Sequence, residues 1–300
     1  MQHQAPTRAT PAAPVIASKK GSLFRGAARL ICRKPTMVAG VAVVVLMALI
    51  AIFGNFLFTV DPNKLAVVDR LQSPSSSYWF GTDLVGRDVY SRTIFGSRVS
   101  LMVGFSVALI SSALGAIIGL LAGYYRRVDA VVMRVMDGIM AIPVIILALA
   151  LVALIGGSVK IVIMVLPVAY TPAVTRVVRA SVLSLRNEVY VDAALALGAS
   201  PLRIISAHIL PNTLVPLIVL ASLVAADAVL VEAVLSFLGA GAPPDTPSWG
   251  GIMAEGSKNI KGAAWVILFP GAFLTLTVLG INLAGDGLRD ILDPKLRRTI

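Results

Sequence analysis

Two carboxylates, Asp227 and Glu232, stand deep inside one long apolar run. A carboxylate in a bilayer interior can move a proton, hold a cation or tie two helices together. Placing it near the bilayer centre costs about 2.5–3.5 kcal/mol on insertion scales, so each must face protein or water. On a helix the two side chains point roughly 140° apart, at about 100° per residue, which argues against a carboxylate dyad. His3 and His208 are the only histidines and Cys32 is the only cysteine. That inventory offers no metal ligand set, no internal disulfide, and no clustered nucleophile and base for a membrane enzyme.

A second group of residues points to mechanical work. Asp192-Ala193-Ala194-Leu195-Ala196-Leu197-Gly198-Ala199-Ser200-Pro201, continuing through Arg203 to Leu210-Pro211, interrupts two apolar runs. It reads as a short helix, a turn at Gly198 and a second short helix. Gly198 suits the left-handed residue that ends a helix. Ser200 suits an N-cap, and Pro201 suits the first turn, where its missing N–H would be unpaired anyway. A rigid knuckle between membrane spans is suited to touching something outside the bilayer.

The elements that position these residues are membrane helices. The 300 residues are 57% hydrophobic and 14% charged, far from the balance of a soluble domain. Six apolar runs are long enough to span: Met37–Val60, Ser100–Tyr124, Val132–Ile155, Ile161–Val178, Pro211–Phe237 and Ala263–Leu283. The first is read as an anchor, not a cleaved signal peptide. The expected organisation is a basic cytoplasmic tail (1–36) with an interfacial helix around Ser22–Cys32, a first span (37–60), an extracytoplasmic segment (61–99), a five-span core (100–285) with a cytoplasmic loop near 181–210, and a cytoplasmic tail (286–300). Of the 26 Lys and Arg residues, 18 fall on the side of the N-terminus and 8 on the other. This bias places both termini in the cytoplasm. The same sorting argues against nucleic acid as the partner of a chain with net charge +11.

Small residues in the second span, notably Gly115 and Gly119, suit close helix packing. Pro143, Pro167 and Pro172 in the third and fourth spans read either as hinges or as static kinks. Within Phe80–Arg92, Thr82 or Asp83 suits the cap of a short surface helix, with Arg87 and Asp88 pairing to neighbours. The alternative is a docking surface for a solute-binding partner. Three prolines exclude a regular helix from Gly241–Gly250, and Trp249 suits a membrane-interface anchor or part of an outer mouth. Glu232 reads either as a buried hydrogen-bonded residue or as a pathway-lining residue near an outer gate. Asp227 fits no motif.

Several of these stretches together resemble permease subunits of bacterial ATP-binding-cassette importers. Asp192-Ala193-Ala194, Gly198 and Leu210-Pro211 stand in register with the family's cytoplasmic loop, with Asp192 for its usual Glu and His208 for its usual Ile. Gly81-Thr82-Asp83, Gly86-Arg87-Asp88, Glu232 with Ser236-Phe237-Leu238-Gly239, Pro243-Pro244 with Pro247-Ser248-Trp249-Gly250, and Gly285-Asp286 with Leu288-Arg289-Asp290, Leu292-Asp293-Pro294 resemble the second permease of dipeptide and oligopeptide importers.

The resemblance implies an all-α integral membrane protein of six transmembrane helices with the type I importer permease fold, in the bacterial inner membrane. It implies a second homologous permease subunit, two cytoplasmic ATPase subunits and an extracytoplasmic solute-binding protein. Asp192, Ala193, Ala194, Gly198, Ser200, Pro201 and Arg203 are then the ATPase-coupling residues, and Glu232, Asp227 and Trp249 the pathway or gate candidates. The chain carries no Gly-x-x-x-x-Gly-Lys-Ser/Thr phosphate loop, so ATP and Mg are expected in the partner and no cofactor here. Peptides are the expected substrate. Nickel chelates, glutathione and oligosaccharides are the alternatives within the class. An ion-coupled secondary transporter would show internal repeats and paired intramembrane charges, and neither is evident.

Overall fold

A computed structural model describes residues 35–292. The tails, including the helix expected around Ser22–Cys32, His3, and the final Asp293-Pro294, lie outside the described residues. Among the described residues the chain is helical, with no strand and one isolated bridge between Thr82 and Asp88.

Among the described residues, five helices are long and apolar enough to cross a membrane. They are α1 (Pro35–Leu57), α2 (Val89–Tyr124), α5 (Val159–Leu185), α7 (Pro201–Phe237) and α9 (running from Trp265 to Leu292). Between them lie α3 (Arg126–Met140), α4 (Val144–Ile155), α6 (Val189–Ala196) and α8 (Trp249–Ser257).

The sixth expected span, Val132–Ile155, is not one straight helix. It is the pair α3 and α4, bent by 88°. The break falls at Pro143, which sits in extended backbone (φ −55°, ψ 136°). Proline lacks the N–H that a continuing helix needs and crowds the residue before it. Composition explains why the two halves part. Helix α3 carries Arg126, Arg127, Asp129, Arg134 and Asp137 among apolar residues and is amphipathic, whereas α4 holds no charged residue. Salt bridges from α5 hold α3 in place: Arg179 engages Asp129, and Arg176 Nη2 lies 2.7 Å from Asp137 Oδ1. Pro167 and Pro172, by contrast, sit inside α5 without ending it.

The second span begins at Val89, earlier than the expected Ser100. The reason is a strong start signal. Asp88 is the N-cap, with its carboxylate accepting from the backbone N–H groups of Tyr90 and Ser91. The expected short surface helix within Phe80–Arg92 is absent. That stretch is a tight loop feeding directly into α2.

The core lies where α2, α5 and α7 meet, around Val103, Val107, Leu166, Val174, Val229 and Leu235. Packing of α2 on α5 is especially close. A Cβ built at Gly115 or Gly119 would fall 2.5 Å from Val174 Cβ or 2.8 Å from the Thr175 carbonyl oxygen. The small-residue stripe of the second span is therefore a helix contact. Helix α9 packs on α1 and α7, and a smaller cluster of Val89, Ile252, Ala263 and Val266 sits beneath the loop that precedes α2.

Candidate functional site

The segment around Gly198 is a rigid corner. Gly198 has φ +80°. Its N–H reaches the Leu195 carbonyl at 2.9 Å, and the Ala199 N–H reaches the Ala194 carbonyl at 3.0 Å. This pair of bonds is the Schellman closure of α6. Ser200 then caps α7, its Oγ accepting from the Arg203 N–H at 3.4 Å, with Pro201 in the first turn.

The second arm of the corner is not a separate short helix. It continues as α7 to Phe237, through a π-helical stretch at Ile204–Ile209. The Leu210 N–H bonds to the Ile205 carbonyl, a longer loop that widens the helix just before Pro211. The second arm of the corner and the fifth span are therefore one continuous helix.

Val191, Ile204 and Ile209 are buried and fasten the corner to the bundle. Its outward surface is exposed: Asp192, Ala193, Gly198, Ser200, Pro201 and Arg203, with Ala194 half-buried. Leu197 (89%) and Leu202 (75%) flank the turn as free apolar side chains. Exposed apolar side chains at such a corner suit contact with a protein or with the membrane surface. Beside it, Arg186 Nη1 donates to the Gly123 carbonyl at 3.3 Å. A cleft of about 490 Å³ opens there, lined by Tyr124, Arg126, Arg127, Arg186, Val191 and Leu195.

The opposite end of the bundle is locked by charges that the sequence did not pair. Arg92, 1% exposed, bridges Asp83 and Glu255, each at 3.2 Å. Arg87 reinforces both, at 2.7 Å to Asp83 and 2.5 Å to Glu255. An arginine in the first turn of an apolar helix was the available signal, since a buried guanidinium needs a counter-ion. Its partner on α8, 163 residues away, had none. In the loop before α2, Tyr78 Oη donates to Asp69 at 2.9 Å. This bond to the Asp69 carboxylate raises the Tyr78 phenol above its usual range.

Trp249 is not an interfacial anchor. It is fully buried, and its indole N–H donates to the Thr93 carbonyl at 2.9 Å. Gly96 leaves room for the ring, since a Cβ there would lie 2.8 Å from it. Trp249 also opens α8, a helix missed in the sequence because the prolines before it masked its start. Ser248 caps that helix by accepting from the Gly251 N–H at 3.2 Å. Around α8 and the proline-rich loop opens a mouth of about 750 Å³, to which Arg92, Ser236, Ser248, Glu255 and Lys258 contribute polar groups.

Glu232 and Asp227 have separate partners. Glu232 is 1% exposed and accepts from Ser100 Oγ at 2.9 Å and Ser236 Oγ at 2.8 Å. Its carboxylate ties α7 to α2. Asp227 is exposed on this chain and accepts from Tyr170 Oη at 2.7 Å.

With this geometry, relatives become informative. The family profile described as the binding-protein-dependent transport system inner membrane component matches residues 113–298. The chain belongs to this family of importer permeases. A second profile, the N-terminal transmembrane domain of oligopeptide transport permease C, matches residues 22–74.

The permease is 47% identical over 270 residues to a putative peptide transport system permease protein of Brucella suis, covering 90% of this chain and 91% of that one. It is 40% identical over 283 residues to a probable D,D-dipeptide transport system permease of Escherichia coli, covering 93% and 95%. It is 38% identical over 287 residues to a glutathione transport system permease of Pectobacterium atrosepticum, covering 95% of each. Among solved structures, an inward-facing MetNI methionine ABC transporter chain matches with TM-score 0.52 at 21% identity, covering 66% of the permease and 94% of that chain. That likeness establishes the type I importer fold. The permease is thus a multi-pass membrane subunit of an ABC importer, a class that works with an ATPase and a substrate-binding partner.

Proposed function

We propose that this permease imports peptides, driven by ATP hydrolysis in a separate subunit. The observation that carries the mechanism is the continuity of the Gly198 corner with α7. A displacement applied at the corner enters α7 at Pro201 and passes along that one helix, through the π-helical stretch and Pro216, to Asp227 and Glu232. The relatives named for peptide and D,D-dipeptide transport support the substrate class; the glutathione relative keeps modified peptides within it.

In this reading the complex holds this chain, a second homologous permease, two ATPases that bind ATP and Mg, and an extracytoplasmic binding protein. Both termini and the Gly198 corner face the cytoplasm, in keeping with the bias of basic residues. ATP closes the ATPase dimer and pulls on the corner, whose exposed Leu197 and Leu202 seat in the ATPase. The bundle rocks, and the mouth beside α8 opens to the binding protein. Hydrolysis resets it. Glu232, enclosed by serines, acts as a fastening between α2 and α7. Asp227 faces the pathway. The catalytic step belongs to the partner, and this chain supplies the conduit.

The test is uptake into proteoliposomes holding the assembled complex, with the binding protein and a panel of di- and oligopeptides. Peptide uptake that requires both ATP and the binding protein is the expected result. Uptake that persists without ATP and collapses with the proton gradient would assign the chain to secondary transport instead.

A further inference from the structure

The exposed face of α7 is an apolar stripe with one acid in it. Leu223, Leu230, Val234 and Phe237 are 43, 39, 37 and 44% exposed. Asp227 stands among them at helical spacing. It lies about ten residues, or roughly 15 Å of rise, short of the helix end at Phe237, near the middle of a hydrocarbon layer about 30 Å thick. An ionised group at that depth does not face acyl chains.

Nor does a cation meet Asp227 among the described residues. Tyr170 on α5 donates to its Oδ2. Tyr170 is itself 6% exposed, so a packed side chain fixes the direction of the carboxylate. One oxygen is held, and the other, Oδ1, takes no hydrogen bond from the described residues.

We propose that Asp227, oriented by Tyr170, is a cation-receiving station at mid-membrane and binds the α-ammonium group of the passing peptide. A carboxylate of fixed orientation with one free oxygen complements an ammonium in charge and accepts one of its three N–H donors. This inference rests on the importer reading and names a specificity determinant within it; Asp227 positions substrate and performs no chemistry.

The test begins with charge alone. In a Cys32→Ser background this chain has no other thiol, and Leu230→Cys places a reporter one turn from Asp227. In the assembled complex, labelling of this chain by a cationic (trimethylammonioethyl) and an anionic (sulfonatoethyl) methanethiosulfonate is measured by mass. Both reagents should react in at least one nucleotide state. Asp227→Asn should lower the cation-to-anion rate ratio by about tenfold, as expected for a nearby charge in a partly wetted site. Tyr170→Phe should lower it less.

Uptake supplies the second readout. Dialanine and propionyl-alanine, which lacks the amine, are compared at matched occupancy of the binding protein. Asp227→Asn should cut dialanine uptake about tenfold relative to propionyl-alanine, and Asp227→Glu should restore part of the difference. A reporter that reacts with neither reagent in any nucleotide state would overturn the proposal, because Asp227 would then face lipid or a subunit contact. An unchanged rate ratio or an unchanged uptake ratio would also overturn it. If the wild-type complex shows no uptake dependent on the binding protein, the importer reading fails instead, while the labelling ratio still decides whether Asp227 attracts cations from water.

Discussion

Arg92 at the head of α2 and Glu255 in α8 meet at 3.2 Å, although 163 residues separate them in the chain. The contact joins the loop before α2 to the helix that borders the mouth. Asp83 and Arg87 complete it. Glu255→Ala should therefore destabilise this end by about 1–3 kcal/mol, the cost of losing charge-assisted hydrogen bonds while Asp83 still pairs with both arginines. Thermal unfolding of the purified complex would reveal it. Arg92→Met with Glu255→Gln together should cost less than the sum of the two single changes, since the pair couples directly.

Gly198→Ala should cost this chain only about 1–2 kcal/mol, the strain of a left-handed residue with a side chain. A Cβ at Gly198 meets nothing within 4 Å in this chain. Gly198→Asp should likewise insert and fold, yet uncouple ATP hydrolysis from uptake, if the open space at this turn is where the proposed ATPase contact lies. The ratio of solute moved to ATP consumed is the measurement.

Leu197→Asp and Leu202→Asp change exposed side chains and should shift the stability of this chain by no more than about 0.5 kcal/mol. Each should nonetheless reduce recovery of the ATPase with this permease in affinity co-purification. Recovery at the wild-type level would remove the Leu197–Leu202 face from the contact.

Gly119→Val should push α2 away from α5, since a Cβ at Gly119 already falls 2.8 Å from the Thr175 carbonyl oxygen and 2.8 Å from Val178 Cβ. Overpacking of this kind costs about 1–3 kcal/mol. Thermal unfolding should show the loss, and Val178→Ala should recover part of it.

Much of this arrangement was legible from local rules. Gly198, Ser200 and Pro201 each signalled a backbone role that needs no tertiary partner, and the corner has the expected turn and cap. The unequal spans were harder. Hydropathy merged the amphipathic end of the third run with its apolar remainder, although Pro143 and the charges of α3 carry the break. It also missed the start of α2, where the Asp88 cap outweighs the polarity of the first turns. Partnerships that depend on tertiary packing were not legible: Tyr170 with Asp227, Ser100 with Glu232, and Arg92 with Glu255. Trp249 was misread because an indole suits an interface and a core contact equally, and only the carbonyl of Thr93 decides between them.

The most direct test of the central claim is ATP hydrolysis by the reconstituted complex in lipid nanodiscs, with binding protein and peptide present, compared between wild type and Gly198→Asp. The account predicts peptide-stimulated hydrolysis in the wild type, and in the variant an intact complex whose hydrolysis no longer responds to peptide. A Gly198→Asp complex that responds like wild type would contradict transmission through the corner, and failure of any ATPase-active complex to assemble around this chain would contradict the account as a whole.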